Sequence, residues 1–396
     1  MANASVLSRP TGKQIALMAA ATMLVVLSVY HSFDPVPTIT IPTPKMPIPN
    51  GYDLLVKAHN ACVERDNITA AAFPSTRFRN MRKFTPAQQL HLRDENLQVF
   101  PLIRTAIDMP FRLPPMRSFD DMMPGADPYR LTGLLVLDAH IKERQGDWKG
   151  AAESVMQAIK LDEIEPHGGG MFSLLGADRA LGLSLGALLT ISPHVDAATN
   201  VQLANQLSAL ADLHVPFADT VEADKWMEVA SMQKLLSGPH WREHLVQMTN
   251  MNGTPSISAF TPINRRKVVK DYMSFMDTQI ALAKQPYGPN SLVWSAPSDP
   301  ILRNLIVPSG QERSQDTSLM SQTSITVIRL AIEAYRQKHN RYPASLSELV
   351  PEELKQFPSD PFSNGGTPGY KLDKQGYTLY STAGQLSPPV PGPGSY

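Results

Sequence analysis

The chain has 396 residues, 42% of them hydrophobic, which is enough for a proper core and rules out wholesale disorder. Its 36 basic and 36 acidic side chains cancel, so no basic stripe marks a nucleic-acid-binding face. The single cysteine, Cys62, excludes an internal disulfide and a thiolate metal site, leaving apolar packing to hold the fold.

Arg9 and Lys13 precede Gln14–Tyr30, an apolar run of 17 uncharged residues. As a helix it is about 25 Å long, against a hydrocarbon core of about 30 Å, and Lys13, Val29 and Tyr30 reach toward the interfaces. Basic residues ahead of the run make 1–13 a cytoplasmic stub and 14–30 a transmembrane helix. The expectation is a single-pass inner-membrane protein, N-terminus cytoplasmic and bulk periplasmic, with the lipid bilayer as its first partner. A cleaved signal peptide needs small residues at its processing site, whereas Val29, Tyr30, His31 and Phe33 are bulky.

Residues 31–50 read as a stalk, with prolines at 35, 37, 42, 44, 47 and 49 favouring extended polyproline geometry over about 50 Å. An α-helical ectodomain over 51–286 follows. Leu54, Leu55, Ala58, Ala61 and Cys62 share helical spacing, so Cys62 is a small core residue. Thr85-Pro86 opens a helix with a threonine cap and proline at its first position. The loop Asp108–Asp127 is rich in proline and methionine. Leu131, Leu134 and Leu135 mark a helix ending near Gln145. Gly146-Asp147 turns the chain, and GDWKGAAESVMQAIKL resembles the second helix of a tetratricopeptide-type hairpin, without a second copy at that period. Helices are further expected over Met171–Thr190, Ala197–His214, Ala223–Leu236 and Lys267–Ala283. Repeated prolines make 287–316 a linker.

Three patterns bear on chemistry. HGGG at His167–Gly170 and G-x-S-x-G around Ser184 match hydrolase signatures, but Ser184 lies within a leucine- and alanine-rich helix rather than a strand-to-helix elbow. The expectation there is a flexible HGGG connection, with Gly182 and Gly186 as small contacts on one helix face. His240-Trp241-Arg242-Glu243-His244 is a formal H-x-x-E-H, in which His240 and His244 would hold zinc and Glu243 act as general base. A third ligand is missing nearby; Glu312 and Glu333 are the distant options, and a solvated helix face is the simpler expectation. The acidic run Asp162-Glu163-Ile164-Glu165 is expected to solvate a helix end. No catalytic, cofactor-binding or metal residue is assigned beyond the candidates Ser184, Glu243, His240 and His244, and no cofactor is implied.

Residues 317–386 read as an α+β module: a helix over Thr317–Asn340, a serine-capped short helix at Ser345–Leu349, and a hairpin of Tyr370–Leu372 with Tyr377–Tyr380. Tyr342, Leu346, Leu349, Phe357, Phe362, Tyr370 and Tyr377 are its expected core, and 387–396 a disordered tail. LAIEAYRQKHNRYPASLSELV, FPSDPFSNGGTPGYKL and GYTLYSTAG resemble the globular module of the type II secretion major pseudopilin. That resemblance implies a helix on a small antiparallel sheet with a calcium-holding loop. Ser381–Gln385 lacks the acidic ligand, and Leu17 stands where the family's membrane segment carries a glutamate. VPFADT, KQPY and RYPASLSELVP also resemble a bacterial envelope family to which no activity is attached. The expected fold is mainly α. The expected role is a non-enzymatic scaffold with envelope protein partners, linked to a secretion- or pilus-like assembly; a zinc-dependent hydrolase is the alternative.

Overall fold

Local signals set several helix boundaries in the computed structural model, which describes residues 11–32, 36–63, 65–72, 84–118, 127–251, 263–288, 301–302, 310–363, 366–374, 376–381 and 390–391. The helices are α1 Gly12–Ser32, α2 Gly51–Ala61, α3 Arg65–Ala72, α4 Pro86–Glu95, α5 Val99–Ile107, α6 Pro128–Arg144 and α7 Trp148–Ile164. They continue with α8 Met171–Ile191, α9 Ala197–Ala211, α10 Phe217–Ser237, α11 Trp241–Met251, α12 Arg265–Ala283 and α13 Gly310–His339. Thr85 closes a capping box with Gln88 at the start of α4, as the sequence requires. Gly146 turns α6 into α7 with φ 77°, a backbone setting that glycine adopts without steric cost. The mainly helical expectation holds, with a small antiparallel sheet near the C-terminus. β1 (Gly369–Asp373) pairs with β2 (Gly376–Tyr380) in the register Gly369 to Tyr380 and Asp373 to Gly376. Of the expected tail, only β3 (Val390–Pro391) is among the described residues, and it pairs with the other edge of β2.

The chain divides into two compact units. The first comprises Met1–Ile41, Glu228–Thr278 and Ser295–Pro308. It contains α1, whose apolar stretch is Ile15–Leu27. Its apolar side chains range in exposure from 40% at Leu27 to 76% at Leu17. Elsewhere in this unit Val229, Met232, Leu245, Val269 and Tyr272 are buried, and Arg265 donates to the Leu236 carbonyl at 2.6 Å. The proline-rich segment is without helix or strand from Val36, and its Pro37 and Ile39 carbonyls accept from Gln233 at 3.1 and 3.4 Å.

The second unit comprises Pro42–Met227, Gln279–Trp294 and Ser309–Tyr396. Asn50, 6% exposed, caps α2 and locks onto Arg112: its Oδ1 accepts from the Tyr52 and Arg112 amides, and its Nδ2 donates to the Arg112 carbonyl. The α6–α7 hairpin is the spine, with α3 on α6, α8 on α7, and α13 on α8 and α9. Here the structure departs from the expected separate C-terminal module. Ile325, Ile328 and Ile332 of α13 share one apolar cluster with Leu185, Leu188 and Leu207, so the terminal helix completes the helical core. Leu349, Phe362 and Tyr377 are buried as expected, while Tyr342, Leu346, Phe357 and Tyr370 pack against the cluster half-buried. Ser345 makes no side-chain cap; Glu348 instead accepts from the Ala344 amide at 2.7 Å.

Among the described residues one helical stretch is long and apolar enough to cross a membrane, and it is internal, Met171–His194, rather than N-terminal. Its most apolar 18-residue window is 56% buried within the protein, because α8 is a core helix flanked by α7 and α13. Ile15–Leu27 of α1 is a shorter apolar stretch.

Candidate functional site

The last turn of α7 carries Asp162 and Glu163, with Glu165 just beyond it. The sequence suggests that this run solvates a helix end. The structure corrects that: the three are only 2%, 2% and 3% exposed. Ala158, Ile159, Leu161 and Ile164 are buried beside them, so these three acids lie on the packed side of the helix rather than on its solvent face. Buried carboxylates must find donors or stay neutral. Asp162 accepts from the Thr132 hydroxyl at 2.5 Å and the Ser184 hydroxyl at 3.0 Å. Burial nevertheless raises its pKa well above the usual range, with those two bonds pulling the other way. Glu165 is pushed up to about 8 by burial and by the charge of Asp127.

Glu163 has a different partner. His214, in the connection between α9 and α10, places Nδ1 2.9 Å from Glu163 Oε2 and Nε2 2.8 Å from Asp316 Oδ1 of α13. Burial alone would lower the histidine's pKa. The bonds to Asp316 and Glu163 outweigh it and raise the group to about 10, so the imidazole is charged at neutral pH. A third carboxylate completes the group. Asp178 of α8 stands with His214 and Asp316 so that one ligand atom from each lies within 4.8 Å of the others. Burial, then the charge of Asp316, pushes Asp178 up to about 8. Its Oδ2 is sealed from solvent and has no hydrogen-bond partner.

Two cavities meet this cluster. One, of about 660 Å³, is lined by His214, Asp316, Phe217, Tyr287 and Arg313. The other, of about 410 Å³, is lined by Glu163, His214, Thr323 and Phe357. His214 belongs to both walls. Arg313 holds the first cavity together, donating to the carbonyls of Leu282, Ala283 and Gln285 at 3.1, 3.3 and 2.5 Å.

The residues singled out from sequence lie elsewhere or serve the core. Ser184 is inside α8, fully buried, and bonded to Asp162. HGGG is a close-packed connection rather than a loose one. A Cβ on Gly170 would sit 1.9 Å from Asp224 Oδ1, and Asp224 in turn accepts from the Met171 amide. Gly182 faces Leu319, but Gly186 has nothing within 4 Å of a Cβ and is not a contact residue. His240 and Glu243 pair at 3.2 Å, 67% and 72% exposed, and His244 is exposed in the next turn. Among the described residues they gather no third ligand: Glu333 is bound to Arg336, and the one group of metal-capable side chains is Asp178, His214 and Asp316. Asp360 of the pseudopilin-like stretch spends its carboxylate on the Ser381, Ser321 and Phe362 donors at 2.6, 3.3 and 3.1 Å.

Sequence reasoning missed His214 because its partners are 51 and 102 positions away. The available signal was Asp178, a lone acid inside the leucine-rich α8. No known protein family, characterised protein or solved structure matches the chain.

Proposed function

We propose that the chain is a membrane-anchored extracytoplasmic interaction protein, tethered by α1 and presenting the helical unit outside the cell membrane. The single observation that carries this is α1 itself. It is 21 residues long, its apolar stretch is Ile15–Leu27, and its large apolar side chains from Ile15 to Val29 are exposed. A helix exposing such side chains finds its partner in lipid or in other apolar surface. Arg9 and Lys13 ahead of it support a cytoplasmic N-terminus. The pseudopilin-like stretch at 319–384 supports a role beside a secretion- or pilus-like assembly, with envelope proteins as partners. The zinc-hydrolase reading on His240, Glu243 and His244 has less support, since the three are at the surface without a further ligand.

Cysteine mapping tests the topology, because native Cys62 is 7% exposed and gives little background. A membrane-impermeant maleimide is expected to label Lys374→Cys in intact spheroplasts and Ser5→Cys only after lysis. The reverse pattern would overturn the orientation. Recovery of crosslinked envelope partners is expected, and a monomer without partners would count against the scaffold role.

A further inference from the structure

We propose that Asp178, His214 and Asp316 form a binding site for a divalent first-row transition cation, with Glu163 orienting the imidazole. The site stands independently of the membrane anchor.

Three observations converge. The first is the donor set. One imidazole and two carboxylates are the nitrogen and oxygen ligands that Zn²⁺ and its neighbours accept, and three protein ligands are the usual number where a coordination position is left for water or a ligand. The second is spacing. The three ligand atoms already lie within 4.8 Å of one another, and ligands around a tetrahedral ion sit about 3.3 Å apart, so the widest separation would have to close by no more than about 1.5 Å. The third is the support behind the histidine. Glu163 Oε2, 2.9 Å from Nδ1, fixes the ring, and the ion would take Nε2 by displacing the proton now shared with Asp316 at 2.8 Å, an arrangement in which a carboxylate orients a metal-bound histidine.

The unmet need of Asp178 separates this from a simple buried ion pair. Glu163 and Asp316 between them satisfy both nitrogens of His214, so a structural His–carboxylate bridge is already complete without a third acid. Asp178 Oδ2 is buried beside that bridge without a donor. A buried carboxyl oxygen left unpaired is costly, and a cation that displaces the proton on Asp178 would supply what it lacks. Arg313 and Lys284 line the larger cavity, but the Arg313 guanidinium is committed to three main-chain carbonyls. The smaller cavity carries Glu163 and Asp212 beside His214, with neither lysine nor arginine in its wall. The 660 Å³ cavity lined by His214 and Asp316 gives the ion an approach and room for a further ligand.

The test uses the full-length protein in detergent, stripped with a chelator and titrated with Zn²⁺ alone by calorimetry, with Co²⁺ as a spectroscopic substitute. One equivalent is expected to bind, and both Asp178→Asn and His214→Gln to lose at least tenfold in affinity. Glu163→Gln is expected to weaken binding about tenfold while keeping the stoichiometry. Visible Co²⁺ bands should change in His214→Gln and stay unchanged in the His240→Gln, His244→Gln double variant, which also controls for the surface histidines. Circular dichroism identifies any variant that fails to fold; the Co²⁺ spectrum of Asp316→Asn then stands in for it. Absence of stoichiometric binding, full affinity in Asp178→Asn, or binding lost only in the surface double variant would each overturn the proposal.

Discussion

The Ser184 hydroxyl donates to Oδ2 of Asp162 across 3.0 Å, joining α8 to α7 where Ser184 is fully buried and Asp162 only 2% exposed. The serine of a hydrolase-like G-x-S-x-G pattern is thus a core donor. Ser184→Ala should cost about 1–3 kcal/mol of unfolding free energy, the range for stranding a buried acceptor. Chemical denaturation measures it. A fluorophosphonate probe should leave the wild-type serine unlabelled.

Glu165 yields a pH prediction of definite sign. Its folded pKa of about 8 lies above the ordinary value of 4.5, so folding holds a proton that the unfolded chain releases. Its contribution to stability is therefore intact below about pH 4.5 and lost progressively as pH rises to about 8. Glu165→Gln keeps the neutral form at every pH. The difference between wild type and variant should swing toward the variant by a few kcal/mol between about pH 5 and about pH 8.5, read from urea midpoints. A difference that does not change with pH would show that the group ionises freely in the fold.

Asp360 ties the end of β2 to α13. With Ser381, Ser321 and the Phe362 amide all directed at one fully buried carboxylate, Asp360→Ala strands three donors and should cost about 2–4 kcal/mol. Asp360→Asn keeps an acceptor oxygen and should recover part of that loss. Limited proteolysis of the hairpin gives an independent readout, with faster cutting expected in the alanine variant.

Much of the helical layout was legible because its signals are local. Thr85, Pro86 and Gln88 sit within four positions and specify the start of α4 almost alone. Gly146-Asp147 ends one helix and caps the next, and the Asp147 side chain accepts from the Gly150 amide. The sheet register follows from alternation around one tight turn. What stayed hidden depends on tertiary context. A run such as Asp162–Glu165 reads as surface because charges are rarely buried, and only the packing of α6 and α8 around it reverses that reading. Likewise the prolines of 286–308 suggest a boundary, yet the stripe of α13 is completed by α8 and α9, more than a hundred residues earlier. An apolar helix is equally ambiguous: α8 holds the longer apolar stretch yet is the buried core helix, whereas the shorter Ile15–Leu27 of α1 is exposed.

The tether by α1 is tested most directly by fractionating cells that express the full chain or a version lacking residues 1–32. The full chain should sediment with membranes and resist alkaline extraction, while the truncated chain should be recovered in the soluble fraction. Full-length protein free in the soluble fraction, or truncated protein still embedded through another segment, would contradict the account.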